Sequence, residues 1–208
     1  MSNLAKRGSA LLWTLAVISC ATPALAGVHV TSIAGGGNPN GLSSTRAGVT
    51  TQDFNDATVG GLFRQGSGAS FTAPLGDTSI YLSLNPDNSP IPLFFNASNY
   101  FGLYWGSIDD FNQISFFRQG QTVARFSGND IWNRANGDTA PDLNRFVEFV
   151  FDGGTTFDEV HLISPGVSFE IDNIATGLLA SPNVPEPASL LLLGSALFGL
   201  GALRRRQR

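Results

Sequence analysis

The chain has 208 residues, including 24 glycines, 16 phenylalanines, one methionine and one cysteine. Hydrophobic residues make up 42% and charged residues 13%, a composition that can bury a core and that excludes a charge-rich disordered chain. Between Gly27 and Ala180, six arginines stand against fifteen acidic residues, a net charge of −9 that argues against nucleic acid as a partner and favours cations such as calcium.

The chain opens with Lys6 and Arg7, then an apolar stretch from Ala10 to Ser19 that is too short to span a bilayer comfortably. Ala24-Leu25-Ala26 puts small residues at the −3 and −1 positions that signal peptidase reads. Residues 1–26 are therefore predicted to be a signal peptide cut after Ala26. Val17-Ile18-Ser19-Cys20 gives a second reading, a lipobox with Cys20 as the lipidated first residue. Valine matches that motif less well than leucine, and Pro23 helps form the Ala24–Ala26 site. Cleavage after Ala26 discards the sole cysteine, so the exported domain must hold together by its core alone.

From Val28 onward, short β-favouring runs alternate with loops. The runs are VHVTSI, GVTTQDF, ASFT, TSIYLSL, YFGLYW, QISFF, TVARFS, RFVEFVF, FDEVHLI and VSFEIDNI. Ile80, Leu82 and Leu84 share one face at period two, as do Val160 and Leu162. Residues 35–41, 85–90 and 133–142 are dense in glycine, asparagine, aspartate and proline and read as loops. No stretch here keeps helical periodicity. The spacing predicts an all-β domain over residues 27–180, an antiparallel β-sandwich of jelly-roll type with phenylalanines between its sheets.

Residues 181–208 break this pattern. A short linker, Pro182-Asn183-Val184, leads to Pro185-Glu186-Pro187, an apolar stretch from Ala188 to Leu203, and then Arg204, Arg205, Arg206 and Arg208. As a helix the apolar stretch measures about 24 Å, against a hydrocarbon core of about 30 Å, a gap that snorkelling arginines can close. It is predicted to be a single C-terminal transmembrane helix in the inner membrane, with the arginines as its cytoplasmic stop. Pro185 and Pro187 keep the helix from running out of the lipid and leave Glu186 extended at the surface. The combination resembles the PEP-CTERM sorting signal. That resemblance implies processing by an exosortase, a membrane-embedded, cysteine transpeptidase-like enzyme of Gram-negative bacteria that make exopolysaccharide. It also implies passage from the inner membrane to the cell surface or extracellular matrix. More loosely, NYFGLYWGSIDDFNQISFF and FEIDNIA resemble a widespread group of PEP-CTERM surface proteins, which implies no particular activity.

The last strand, VSFEIDNIAT, resembles the closing strand of calcium-containing carbohydrate-binding jelly rolls. The resemblance matches Asp172 to an aspartate ligand there, and Asp53 in QDFND offers the early-strand partner. Alternation places Glu170 on the face of Asp172. A structural calcium held by Asp53, Glu170 and Asp172 is thus the one cofactor expected, and the alternative is that these carboxylates face water or cap a turn. Asp109 and Asp110, being adjacent, would point to opposite faces of a strand and read as turn formers.

Catalysis finds little support. Glu170-Ile171-Asp172 resembles the start of the Glu-x-Asp-x-x-Glu strand of laminarinase-like glycoside hydrolases, but position 175 is alanine and the second acid is missing. Nothing in the sequence pairs Glu148, and His29 and His161 show no metal spacing. For a sugar stacked on an exposed ring, Tyr104 and Trp132 are the candidates, with Tyr100 beside them, while Trp105 reads as core. The expected function is that of a non-enzymatic, exosortase-sorted surface or matrix protein. The alternatives are a carbohydrate-binding module for exopolysaccharide and, distantly, a polysaccharide hydrolase.

Overall fold

The structure, a computed structural model, describes residues 27–180. The leader, with Cys20, Ala24 and Ala26, lies outside the described residues. So does the tail, with Pro185, Glu186, Pro187, the apolar span and Arg204, Arg205, Arg206 and Arg208. Among the described residues, no helix is long and apolar enough to cross a membrane.

Eleven strands build the domain: β1 Val28–Ala34, β2 Thr50–Gln52, β3 Phe63–Arg64, β4 Tyr81–Leu84, β5 Ile91–Ser98, β6 Tyr100–Gly106, β7 Gln113–Arg118, β8 Gln121–Ser127, β9 Arg145–Phe151, β10 Phe157–Ile163 and β11 Phe169–Gly177. One turn of helix, α1 Gly128–Ile131, and a 3-10 turn at Pro141–Leu143 are the helical pieces described. The strands form two antiparallel sheets. One has seven strands in the order β1-β9-β6-β11-β4-β3, with β2 also against β11, and the other runs β5-β10-β7-β8. This is an all-β sandwich, as the alternating runs predict. From β4 to β11 the chain passes repeatedly between the sheets, placing β4, β6, β9 and β11 in one and β5, β7, β8 and β10 in the other.

Two predicted details differ. ASFT forms no strand, only an isolated bridge between Gly68 and Phe71. Residues 91–98, which belong to none of the predicted runs, form the eight-residue β5. Proline lacks the ladder donor, and β5 avoids that cost by lying at the edge of its sheet.

The core lies between the sheets. Phe116 on β7 is the hub: its ring centroid is 5.0–5.5 Å from those of Phe101, Phe149, Phe151 and Phe157. Leu82 and Leu84 enter this core, as do Val160 and Leu162, each pair on one face at period two. Trp105 is fully buried with its ring 4.5 Å from that of Phe169, the core role that the sequence suggests.

β6 and β11 are covered on both faces. Every residue of β6 is buried, so Tyr100 and Tyr104, which point away from the phenylalanine core, are shielded as well. The pairing of β11 with β6 shifts between Asp172 and Ala175, a bulge at which Asn173 takes φ 52°. Phe169 and Ile171 face inward before the bulge, and Ile174 does so after it. Glu170 and Asp172 therefore point to the outer face, under the loops that cover it.

Candidate functional site

Two buried carboxylates meet on the outer face of β11. Asp172 is fully buried and Asp77, on the loop before β4, is 5% exposed. Ser79 links them: its hydroxyl donates to Asp77 Oδ1 at 2.5 Å and lies 3.2 Å from Asp172 Oδ2. Asp77 Oδ2 and Asp172 Oδ1 have no protein partner. Burial, reinforced by the neighbouring Asp77 and opposed by the Asn173 N–H, pushes the Asp172 carboxyl up to about 9. The loop carrying Asn40 and Gly41 closes over the pair. Asn173 Nδ2 donates to the Asn40 carbonyl at 2.6 Å. Gly41, at φ 66°, leaves no room for a side chain: a Cβ there would come within 2.7 Å of the Tyr104 ring and 3.1 Å of Asp77 Oδ2.

A second pair lies beside the first. Glu170, 2% exposed, accepts the Thr72 N–H at 3.0 Å and the Ser168 hydroxyl, both on Oε1. Burial raises its carboxyl against those two bonds. Asp109 follows β6 and is 8% exposed, whereas its neighbour Asp110 is exposed. Burial, then the charges of Glu170 and Asp110, push Asp109 up to about 7. The two carboxylates line a polar pocket of about 210 Å³ together with Ser107 and Ser168. A neighbouring pocket of about 350 Å³ shares Thr72 and Ser107 with it and reaches Asp77. Ser107 is 5% exposed, and its hydroxyl has no protein partner. Four buried carboxylates thus gather under one roof of loops. The sequence points to Glu170 and Asp172 but misses Asp77, inside a loop, and misreads Asp109 as a turn former.

The expected calcium ligands do not assemble as a set. Asp53 is exposed and accepts the Asn55 N–H at 3.2 Å, a local turn contact. Glu170 and Asp172 share a face, but they take different partners. Among the described residues, no group of three His, Cys, Asp or Glu side chains converges on a metal position.

The expected glycan platform also changes. Tyr104 is fully buried and donates its hydroxyl to the Leu75 carbonyl at 2.7 Å, so its ring is closed to a ligand. Trp132, just after α1, is half-buried: the Arg145 guanidinium sits 4.0 Å from its ring centroid and its indole nitrogen is buried without a partner. Tyr100 is fully buried, with its hydroxyl 2.9 Å from Glu148 Oε1. Glu148, unpaired in the sequence reading, also receives Arg46 Nε at 2.7 Å and the Thr31 hydroxyl at 3.2 Å. Burial would raise this carboxyl, but the bonds from Arg46 and Tyr100 outweigh it and hold it below its ordinary value. His29 lies 2.6 Å from Asp152 at the surface.

The outer face of the four-stranded sheet carries a different set. Register places Phe94 and Phe117 on either side of Glu159, and Ser115 between His161 and Arg125. Phe94 is 73% exposed. The Phe117 ring lies 4.5 Å from the His161 ring, His161 Nε2 is 2.7 Å from Glu159 Oε1, and Arg125 Nε donates to Ser115 Oγ at 3.0 Å.

Fold and site together define an all-β sandwich with an acidic, loop-roofed outer face. Comparison adds the tail: residues 183–206 match the model of the PEP-CTERM protein-sorting motif. The match is confined to that segment. It supports export of the protein and processing by an exosortase at the membrane. No curated protein and no solved structure matches the chain.

Proposed function

We propose that this is a non-enzymatic surface or extracellular-matrix protein of a Gram-negative cell, released to its destination when an exosortase cuts the tail at Pro185-Glu186-Pro187. The sorting-motif match at residues 183–206 is the observation that carries the reading. Residues 27–180 are the delivered part, in this reading a jelly roll. The supporting pattern is β4-β11-β6-β9 facing β5-β10-β7-β8, eight strands that cross between the sheets at every connection but the β7–β8 hairpin. A structural role fits the binding of Glu148 into an Arg46, Tyr100 and Thr31 latch, which leaves that strand carboxylate no free acid–base role. The test is the mass of the mature protein in host cells with and without the exosortase. Loss of both leader and tail only in exosortase-positive cells is the expected result. An intact tail in those cells would sink the reading.

The calcium expectation shifts to Asp77 and Asp172. Their orphaned, buried oxygens suit a hard cation, and the Ser79 hydroxyl is their shared partner. An ion there would neutralise the pair and tie the loop before β2 to the closing strand.

A second function, glycan binding, is favoured by one observation: the exposed Phe94 beside Phe117, His161, Glu159 and Arg125 on an open sheet face. Apolar rings flanked by polar groups are what a sugar face and its hydroxyls require. Retention on the host's immobilised exopolysaccharide should fall with Phe94→Ala and be kept with Trp132→Ala. Equal retention by wild type and Phe94→Ala would remove this surface as the site.

A further inference from the structure

We propose that the pocket between Asp109 and Glu170 is a solvent-reachable site for a divalent cation of the calcium class, bound by the two carboxylates and the Ser107 hydroxyl. The argument begins with charge. Both acids sit at the wall of one polar pocket, and no basic side chain lines it. Between Gly27 and Ala180 there is no lysine at all, and each of the six arginines lies elsewhere than in this lining. Two like charges held together and largely removed from water are costly, and nothing in the pocket wall offsets them.

Next come the oxygens. The bonds from Thr72 and Ser168 both fall on Glu170 Oε1, which leaves Oε2 available. Asp109 receives one long contact, from Asn112 Nδ2 to Oδ2 at 3.5 Å, which leaves Oδ1 available. Ser107 supplies the independent sign of a ligand. It is 5% exposed, lines the pocket, and carries a hydroxyl with no protein partner. Its backbone is fixed from the far side, where its N–H donates to Asn144 Oδ1 at 3.2 Å. A hydroxyl oxygen lent to a cation resolves that orphan, and the two carboxylates in the same lining repel an anion.

The wall accommodates this arrangement. Gly137, at φ 72°, passes so close to Asp109 that a Cβ would meet Oδ1 at 2.0 Å. The pocket, at about 210 Å³, has room for an ion with several waters at roughly 30 Å³ each. Calcium takes six to eight oxygen ligands and accepts water for those the protein does not provide. Three protein donors predict weak binding, about 10⁻⁴–10⁻³ M, the range of extracellular modules. The Asp77–Asp172 pair lies outside this lining, under the Gly41 loop, so the two positions can be told apart by mutation.

The experiment is calcium titration of the chelator-treated full chain in detergent, followed by calorimetry. Wild type should show a weak binding event in the stated range. Asp109→Asn and Glu170→Gln should each weaken it at least about tenfold, Ser107→Ala should weaken it less, and Asp172→Asn should keep it. Absence of a weak event in wild type would overturn the proposal. So would an event unchanged in both carboxylate variants, or one lost in Asp172→Asn alone, which would assign the ion to the Asp77–Asp172 pair. Melting in chelator guards against trivial unfolding: both carboxylate variants should melt at or above wild type, because each removes a buried like charge. Should either melt lower, Ser107→Ala, which changes no charge, decides, and an unchanged calcium constant there counts against the site.

Discussion

At β6 and β11 the seven-stranded sheet is buried on both faces, and by opposite chemistry. The inner face meets the phenylalanines of the second sheet, around Phe116. The outer face of β11 meets loops and holds Asp77, Asp109, Glu170 and Asp172. Apolar burial lowers free energy whatever the pH or ion content of the medium. Burial of carboxylates raises it unless protons or cations neutralise them. One face should therefore behave as a fixed foundation and the other as a part whose stability depends on solution conditions.

The largest expected effect tests the fixed face. Phe116→Ala removes the ring that contacts four other phenylalanines in the core. It should cost about 3–5 kcal/mol in chemical denaturation. The loss should be the same with calcium or chelator, and at pH 5 or pH 8. A cost that changes strongly with calcium would mean the two faces are energetically coupled.

The next effect tests the conditional face. Asp172 is pushed up to about 9 and Asp109 to about 7, both from an ordinary value of 3.8. A folded carboxyl raised above its unfolded value holds its proton more tightly when folded. Its contribution to stability is full below pH 3.8 and is lost as pH rises through 7 for Asp109 and 9 for Asp172. In chelator, the protein should melt higher at pH 5 than at pH 9, by roughly 5 °C or more. Glu148 works against this trend, since its lowered carboxyl loses stabilisation on acidification, but only near and below the ordinary carboxylate range. Asp172→Asn should flatten the pH slope. A melting temperature that rises steadily from pH 5 to pH 9 would show that these carboxylates are not strained.

The two faces also differed in how far the sequence revealed them. The inner face was plain, because Leu82 with Leu84, and Val160 with Leu162, repeat at period two and such a pattern needs no knowledge of the fold. The same alternation put Glu170 and Asp172 on the other face. What it could not supply was a partner for them. Asp77 lies in a loop, where no periodicity says which way a side chain points, and the register that sets Asp172 opposite Tyr104 exists only in the assembled sheet. Asp53 is acidic and early in the chain, but early position does not fix proximity. The surroundings of Trp132 were hidden for a related reason. A loop rich in polar residues follows it, yet the residue on its ring is Arg145, at the start of β9.

A smaller effect concerns a third polar cluster on this outer side, the Glu148 latch. Arg46 lies on a loop and Glu148 in the middle of β9, so their contact ties the loop down. The pair is partly exposed, which limits its worth: Glu148→Gln should cost about 1 kcal/mol. It should cost less in high salt, unlike Phe116→Ala, and a salt-independent loss would mean that packing of Tyr100 outweighs charge.

The smallest effect returns to phenylalanine, on the remaining open face. Phe94 has the side chain of Phe116 but is 73% exposed on the outer side of β5. Burial, not residue type, sets the cost of truncation, so Phe94→Ser should change stability by no more than about 0.5 kcal/mol. β5 is an edge strand, and an exposed ring there also offers a foothold to other chains. The serine variant should be at least as soluble as wild type when light scattering is followed during heating. A loss above about 1 kcal/mol would place the ring in a contact that its exposure does not reveal, and would move Phe94 from the recognition surface to the structural one.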